Sequence, residues 1–78
     1  MDTIFQKMMQ VTGWNRRKLE VAITTLEVNR NLKFLGFDDT HDDHRTGIFT
    51  FDFLGDDEES LGVRGYFTLK EMEEFGRV

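Results

Sequence analysis

Three consecutive cations, Arg16, Arg17 and Lys18, form the densest basic cluster of this 78-residue chain. They follow Asn15, a residue type that favours the N-cap of a helix, so they would occupy a first helical turn. The helix dipole presents its positive end there, and each exposed cation is unfavourable by roughly 0.3–1 kcal/mol. Three in succession therefore indicate that something negative faces this turn: phosphates, an acidic partner protein, or the chain's own acidic loops.

Two acidic segments carry the opposite chemistry. Residues 38–46, DDTHDDHRT, and residues 55–60, GDDEES, have the composition of polar loops between strands. Carboxylates spaced over a small rigid body can imitate a phosphate backbone and block a nucleic-acid-binding protein. The simpler interpretation is that they are solvated turns that keep a small domain soluble. The carboxylates that would carry the mimicry are Asp38, Asp39, Asp42, Asp43, Asp56, Asp57, Glu58 and Glu59.

The residue types do not favour catalysis or metal binding. His41 and His44 lie among the aspartates, but three-residue spacing in a loop is a weak metal signature, and the glycine and closing glutamate of an EF-hand are missing. Ser60 is the only serine, and the sequence contains no cysteine. The carboxylates cluster in predicted exposed turns, where burial does not tune an acid against a base. We therefore expect no enzymatic activity, no cofactor and no metal site.

Two N-terminal helices are predicted to position these groups. Before Gly13, a residue type that often ends a helix, apolar residues recur at helical spacing: Ile4, Phe5, Met8 and Met9. The second helix is predicted to begin at Asn15, where Trp14 and Leu19 have the spacing of a hydrophobic staple. Its predicted core stripe comprises Leu19, Ala22, Ile23 and Leu26. A second stripe, which would either pack under another element or contact a partner, comprises Val21, Thr24, Thr25 and Val28.

Three strands are predicted to follow, over residues 32–37, 47–54 and 61–67. In the second strand, alternate phenylalanines would face the core: Phe49, Phe51 and Phe53. In the first, strict alternation places Leu32 and Phe34 on one side and Leu35 and Phe37 on the other. In the third, Val63 and Phe67 would point inward.

A short helix is predicted to end the fold. Thr68 would cap it, Glu71 would complete a capping box, and Gly76 would stop it. The sequence therefore predicts an α+β fold in a single domain spanning residues 1–78. Its elements would be two N-terminal helices, a three-stranded antiparallel β-meander and a short C-terminal helix.

The net charge of −5 hides an asymmetry between the two halves of the chain. Residues 1–37 carry a balance of +3, and residues 38–78 carry −8. The acidic half argues against indiscriminate nucleic-acid binding but leaves room for a locally basic face. No apolar run approaches the roughly 20 residues that span a bilayer, and no signal peptide is apparent. We expect a soluble, cytoplasmic protein.

Residues 5–54 resemble winged helix-turn-helix domains. The matching features are a short amphipathic helix (IFQKMMQV), a tight turn (TGW), a helix opening with NRRK, and two strands joined by a loop. The resemblance implies that the second helix enters the DNA major groove and reads base edges with its N-terminal residues. It further implies the nucleic-acid-binding residues Asn15, Arg16, Arg17, Lys18, Val21 and Thr24. The loop that would form the wing, DDTHDDHRT, departs from the family pattern because it is acidic.

Two functional hypotheses follow. The first is a small, non-enzymatic regulatory protein, winged-helix-like, that docks on DNA through the basic start of its second helix. The alternative is an acidic inhibitor or adaptor of viral anti-defence or host-takeover type, which binds a nucleic-acid-binding protein by presenting its carboxylate loops as a nucleic-acid mimic. The second stripe and the small size also favour a homodimer.

Overall fold

The computed structural model describes residues 3–39 and 47–75, which begin with a helix–turn–helix pair. Helix α1 spans Thr3–Thr12 and helix α2 spans Arg16–Arg30. Between them Gly13 has a φ of +77°, a left-handed conformation that costs glycine little. The turn is tied to α1, because the Thr12 hydroxyl accepts a hydrogen bond from the Trp14 N–H at 3.1 Å. The predicted end of the first helix before Gly13 is confirmed.

Asn31 ends α2 and joins it to the sheet. Its φ of 56° is left-handed, and its backbone N–H donates to the Glu27 carbonyl. Its side-chain amide donates to the carbonyl oxygens of Leu54 and Gly55, each at 2.9 Å. One asparagine therefore caps the helix and fixes the turn that leaves the second strand.

The three strands form an antiparallel sheet in the order β1-β2-β3. Strand β1 spans Leu32–Asp39, β2 spans Gly47–Leu54, and β3 spans Ser60–Thr68. Helix α3, Leu69–Phe75, follows directly. The predicted α+β fold and its order of elements are confirmed. Within the described residues, no helix is both long enough and apolar enough to cross a membrane.

The inward face of β1 differs from the prediction because the strand contains a bulge. The pairing with β2 shifts between Phe34 and Gly36, so one extra residue interrupts the alternation. Phe37 is consequently 8% exposed and belongs to the core with Leu32, whereas Leu35 is 43% exposed. The prediction that Phe37 shares a side with Leu35 was wrong.

Val63 is a second correction. It was predicted to point inward, but it is 55% exposed. The register of β2 with β3 shifts after the Asp52–Arg64 pair and resumes at Leu54–Ser60. Gly62, with a φ of +74°, lies in this irregular segment. The strand bulges there, so simple alternation fails.

The core lies between the helices and one face of the sheet. Helices α1, α2 and α3 all contact strands, and Phe49 and Phe51 of β2 are completely buried beneath them. Phe53, the third predicted core phenylalanine, is partly buried against the same cluster. The predicted α2 core stripe is confirmed: Leu19, Ala22, Ile23 and Leu26 are all buried.

Helix α3 closes the core through a capping box. The Thr68 N–H donates to the Glu71 carboxylate at 2.9 Å, and the Glu71 N–H donates to the Thr68 hydroxyl at 3.2 Å. Met72, the residue after Glu71, is completely buried. The predicted cap is therefore confirmed, while Gly76, the predicted stop, lies outside the described residues.

A candidate docking groove at the start of helix α2

The start of α2 is fixed by the Asn15 side chain. Its Oδ1 accepts a hydrogen bond from the Lys18 backbone N–H at 2.8 Å, and its φ and ψ of −78° and 169° are those of an N-cap. The predicted N-cap is confirmed. Arg16, Arg17 and Lys18 therefore form the first helical turn, which we call the basic turn, and all three are exposed.

Arg16 turns toward helix α1. Its Nε lies 3.2 Å from the Glu20 carboxylate, and its guanidinium lies 4.5 Å from the centroid of the Phe5 ring. Both side chains of the ion pair are about half exposed, so the pair contributes at most about 1 kcal/mol. These contacts direct Arg16 away from the α2–α3 side of the helix.

Lys18 turns toward helix α3. Its Nζ lies 3.6 Å from the Glu73 carboxylate and 4.2 Å from the centroid of the Trp14 ring. Glu73 is thus a carboxylate of the protein itself that faces the basic turn, and it comes from α3 and not from either acidic segment. The side chains of Lys18 and Glu73 are each 51% exposed, so their attraction is screened by water.

An open groove of about 450 Å³ lies between the start of α2 and α3. Most of the surface that lines the groove is apolar, and Arg17, Lys18 and Glu73 supply the charge. The complete lining comprises Trp14, Asn15, Arg17, Lys18, Val21, Ala22, Met72 and Glu73. The groove therefore combines an apolar surface with cations at the positive end of a helix dipole.

The groove continues along an uncovered side of α2. We call this side the α2 flank; it comprises Arg17, Val21, Thr24, Thr25 and Val28. Val21 is 41% exposed and Val28 is 73% exposed, and a depression of about 420 Å³ runs beside them. Of the two interpretations of the second stripe, packing under another element is not observed among the described residues.

One of the two acidic segments lies at the C-terminal end of α2, the end opposite the basic turn. Asp56, Asp57 and Glu58 are exposed in the turn after β2, which we call the acidic turn (residues 55–59). Asn31 bonds this turn to the C-terminal end of α2. The 15 residues of α2 rise about 21 Å, so the acidic turn is separated from the basic turn by the length of the helix.

Asp38 and Asp39 lie at the opposite end of the sheet from the acidic turn. Asp38 is exposed near the end of β1, and Asp39 is the last residue of that strand. Asp42 and Asp43 lie outside the described residues, as do His41 and His44. Among the residues that are described, no group of three or more His, Cys, Asp or Glu side chains is arranged to hold a metal ion.

The structure gathers most, not all, of the predicted nucleic-acid-binding residues. Four of them line the groove: Asn15, Arg17, Lys18 and Val21. Arg16 faces α1 instead, and Thr24 lies further along the α2 flank. Sequence reasoning missed Met72 and Glu73 as groove residues, since only the packing of α3 against α2 brings them there. The chain matches no family model, no curated protein and no solved structure.

Proposed function

We propose that the protein is a small, non-enzymatic regulatory protein that docks on double-stranded DNA through the basic turn and the α2 flank. The observation that carries the proposal is the exposed side of α2, which no other described element covers and which runs from Arg17 past Val21 and Thr24 to Val28. The proposal includes a cytoplasmic location.

The dimensions and chemistry of this side suit the major groove. An α-helix fits the groove width of about 12 Å, and its N-terminal end favours phosphate oxygens. Arg17 has the fork geometry that pairs bidentately with guanine, while the methyl groups of Val21 and Thr24 suit the methyl group of thymine. The proposal assigns base contacts to these three residues and a phosphate contact to Lys18.

The electrostatics near the basic turn are compatible with a polyanion. The ion pairs of Arg16 with Glu20 and of Lys18 with Glu73 are exposed, and such pairs contribute little. A phosphate backbone can therefore replace Glu73 as the partner of Lys18. The acidic turn lies at the far end of α2, so its carboxylates do not compete at the basic turn.

The order of elements supports the same docking helix. A helix, a three-residue turn with a left-handed glycine and a second helix precede the hairpin of β1 and β2. This is the order in the winged helix-turn-helix domains that the sequence resembles, in which the second helix of the pair meets DNA. Membership of that family is part of the proposal.

A titration of a labelled mixed-sequence duplex at two salt concentrations tests the proposal. Arg17→Ala/Lys18→Ala should weaken binding at low salt and reduce its salt dependence, because two phosphate or base contacts are lost. Lys33→Ala/Arg64→Ala is the matched control, since it removes the same charge from β1 and β3. Absence of binding by wild type at low salt would refute the proposal, as would an equal effect of both double variants.

The acidic turn favours a second candidate function, an inhibitor or adaptor that binds a basic nucleic-acid-binding protein. Its carboxylates sit on a turn closed by main-chain bonds: the Gly55 N–H donates to the Glu59 carbonyl at 2.8 Å, and the Glu58 N–H donates to the Gly55 carbonyl at 2.9 Å. Glu59 also accepts the Asp57 N–H at 3.1 Å. A fixed arrangement of exposed carboxylates is what imitation of phosphates requires.

This second candidate has its own test. The protein would displace labelled duplex DNA from a basic, non-specific DNA-binding protein, and Asp56→Asn/Asp57→Asn/Glu58→Gln would abolish the displacement. Glu71→Gln/Glu73→Gln/Glu74→Gln removes equal charge from α3 and is the control. If Asp56→Asn/Asp57→Asn/Glu58→Gln displaces DNA as well as wild type does, the inhibitor hypothesis is wrong.

A further inference from the structure

Three depressions join along the exposed side of α2 and reach from the basic turn to the acidic turn. The groove at the start of α2 and the depression beside the α2 flank share Val21 in their linings. The second depression shares Val28 with a third, of about 550 Å³, whose lining also includes Leu32 and Glu58. The α2 flank is therefore part of one continuous surface that ends at the acidic turn.

The N-terminal end of this surface carries a cation that has no ion pair within the described part of the chain. The other cations of the basic turn are paired within the subunit, Lys18 with Glu73 and Arg16 with Glu20. Arg17 is exposed, lines the groove, and forms no ion pair with any described residue. Arg17 is therefore the charge that this end offers to a partner.

The C-terminal end of the surface is acidic. Glu58 is exposed, lines the third depression and forms no ion pair within residues 3–39 and 47–75. Lys33 lines the same depression beside Glu27, and residues 56–59 are all acidic and exposed. Within one subunit these carboxylates cannot reach Arg17, because the length of α2, about 21 Å, separates them.

We infer that the α2 flank binds the α2 flank of a second copy in an antiparallel, two-fold symmetric dimer. A surface with a cation at one end and carboxylates at the other is complementary to itself when one copy is reversed. Antiparallel packing sets Arg17 of each copy against Glu58 of the other, whereas parallel packing opposes like charges at both ends. The complementary charges at its two ends are what make a second copy fit this surface.

The two exposed valines fix the position of the two-fold axis. Val21 and Val28 are seven residues apart, about two turns, and so lie on the same side of α2. With the axis between Thr24 and Thr25, Val21 of each copy lies opposite Val28 of the other. Valine and threonine side chains are short, so the two helices can approach to the usual distance of about 8–10 Å.

The same axis brings the charged ends together. It places Arg17 of one copy level with Leu32 of the other, and Leu32 shares the third depression with Glu58. Sliding one helix by a turn moves Arg17 about 5 Å from this position and also separates the valines. Apolar contact and charge therefore select one register.

This dimer closes the surface that we propose for DNA docking. Both occupants need Arg17, Val21 and Thr24 to be uncovered, so duplex DNA and a second copy exclude one another. The exclusion rests on the proposed function, whereas the dimer does not. A high concentration of the protein then limits its own DNA binding, and DNA docks on the monomer that prevails at low micromolar concentration.

Sedimentation equilibrium without DNA, from low to high micromolar concentration, tests the dimer. Wild type should associate over this range, and Arg17→Glu should raise the dimer dissociation constant about tenfold, because two symmetric attractions become repulsions. Arg17→Glu/Glu58→Arg should restore association, since each contact forms again with its charges exchanged. Arg64→Glu makes the same charge change on β3 and should leave association unchanged.

Three results would overturn the dimer. The first is wild type that stays monomeric at the highest concentration. The second is an equal effect of Arg17→Glu and Arg64→Glu, and the third is an exchanged double variant that associates no better than Arg17→Glu. Circular dichroism of each variant checks that the fold is retained.

A titration of wild-type dimer with mixed-sequence duplex DNA separates the dimer from the proposed function. Dimers that dissociate as DNA binds support the exclusion, and DNA that binds intact dimers overturns it. A dimer that binds no DNA refutes the DNA proposal alone, and a monomer that binds DNA refutes the dimer alone.

Discussion

The Lys18 ammonium lies 3.6 Å from the Glu73 carboxylate, and this contact joins the basic turn of α2 to helix α3. Met72, the residue before Glu73, is completely buried and lines the groove beside Lys18. The packing of one methionine thus places a carboxylate over the cation that we propose contacts phosphate. In the proposed complex, Glu73 would compete with phosphate for that cation.

Glu73→Gln should strengthen duplex DNA binding. Removing the competing charge releases Lys18 and lowers the repulsion of phosphates, which we expect to raise affinity about two- to fivefold, the equivalent of an exposed ion pair. Glu74→Gln is the matched control, because this neighbouring glutamate is exposed and forms none of the ion pairs among the described residues. An equal gain from both variants, measured by anisotropy at low salt, would mean that only net charge matters.

Asn15→Ala should destabilise the protein by about 0.5–2 kcal/mol, because the Lys18 N–H loses its acceptor. Asn29→Ala provides the comparison, since Asn29 is exposed in the last turns of α2 and alanine is the better helix former. It should be neutral or slightly stabilising. Urea denaturation measures both; equal midpoints would contradict the capping role of Asn15.

Leu26→Ala and Val28→Ala should separate the buried and exposed sides of α2. Leu26 is completely buried, so its truncation leaves a cavity and should cost about 2–5 kcal/mol. Val28 is 73% exposed, and its truncation should change stability by no more than about 0.5 kcal/mol. A large loss of stability in Val28→Ala would show that another part of the chain covers the α2 flank.

The two roles of Asn31 can be separated by substitution. Asn31→Gly keeps the left-handed backbone at little cost and loses only the bonds to Leu54 and Gly55. Asn31→Ala loses those bonds and also strains the backbone, so it should be about 1–2 kcal/mol less stable than the glycine variant. Thermal unfolding measures the difference. Equal stability of the two variants would show that the left-handed backbone of residue 31 does not contribute to the choice of asparagine there.

Local patterns in the sequence predicted much of the fold. The Asn15 cap, the Thr68–Glu71 capping box and the phenylalanines of β2 each depend on residues a few positions apart, and each appears in the structure. The burial of Phe37 and the exposure of Val63 could not be predicted, because a bulge adds residues without a distinctive sequence signal.

The complete lining of the groove could not be predicted from local sequence patterns. Asn15, Arg17, Lys18 and Val21 share one helix, so their proximity follows from helical spacing. Glu73 reaches Lys18 only because Met72 is buried against α2, a contact across 55 positions between Lys18 and Glu73 that no local pattern encodes. The contact between Lys18 and Glu73 therefore depends on the tertiary structure.

Amide chemical-shift mapping with an unlabelled duplex at low salt tests DNA docking most directly. The proposal predicts that perturbations concentrate on the basic turn and the α2 flank, fade as salt is added, and spare the acidic turn. Perturbations confined to the acidic turn or to β3, or no perturbation even at low salt, would contradict docking through α2.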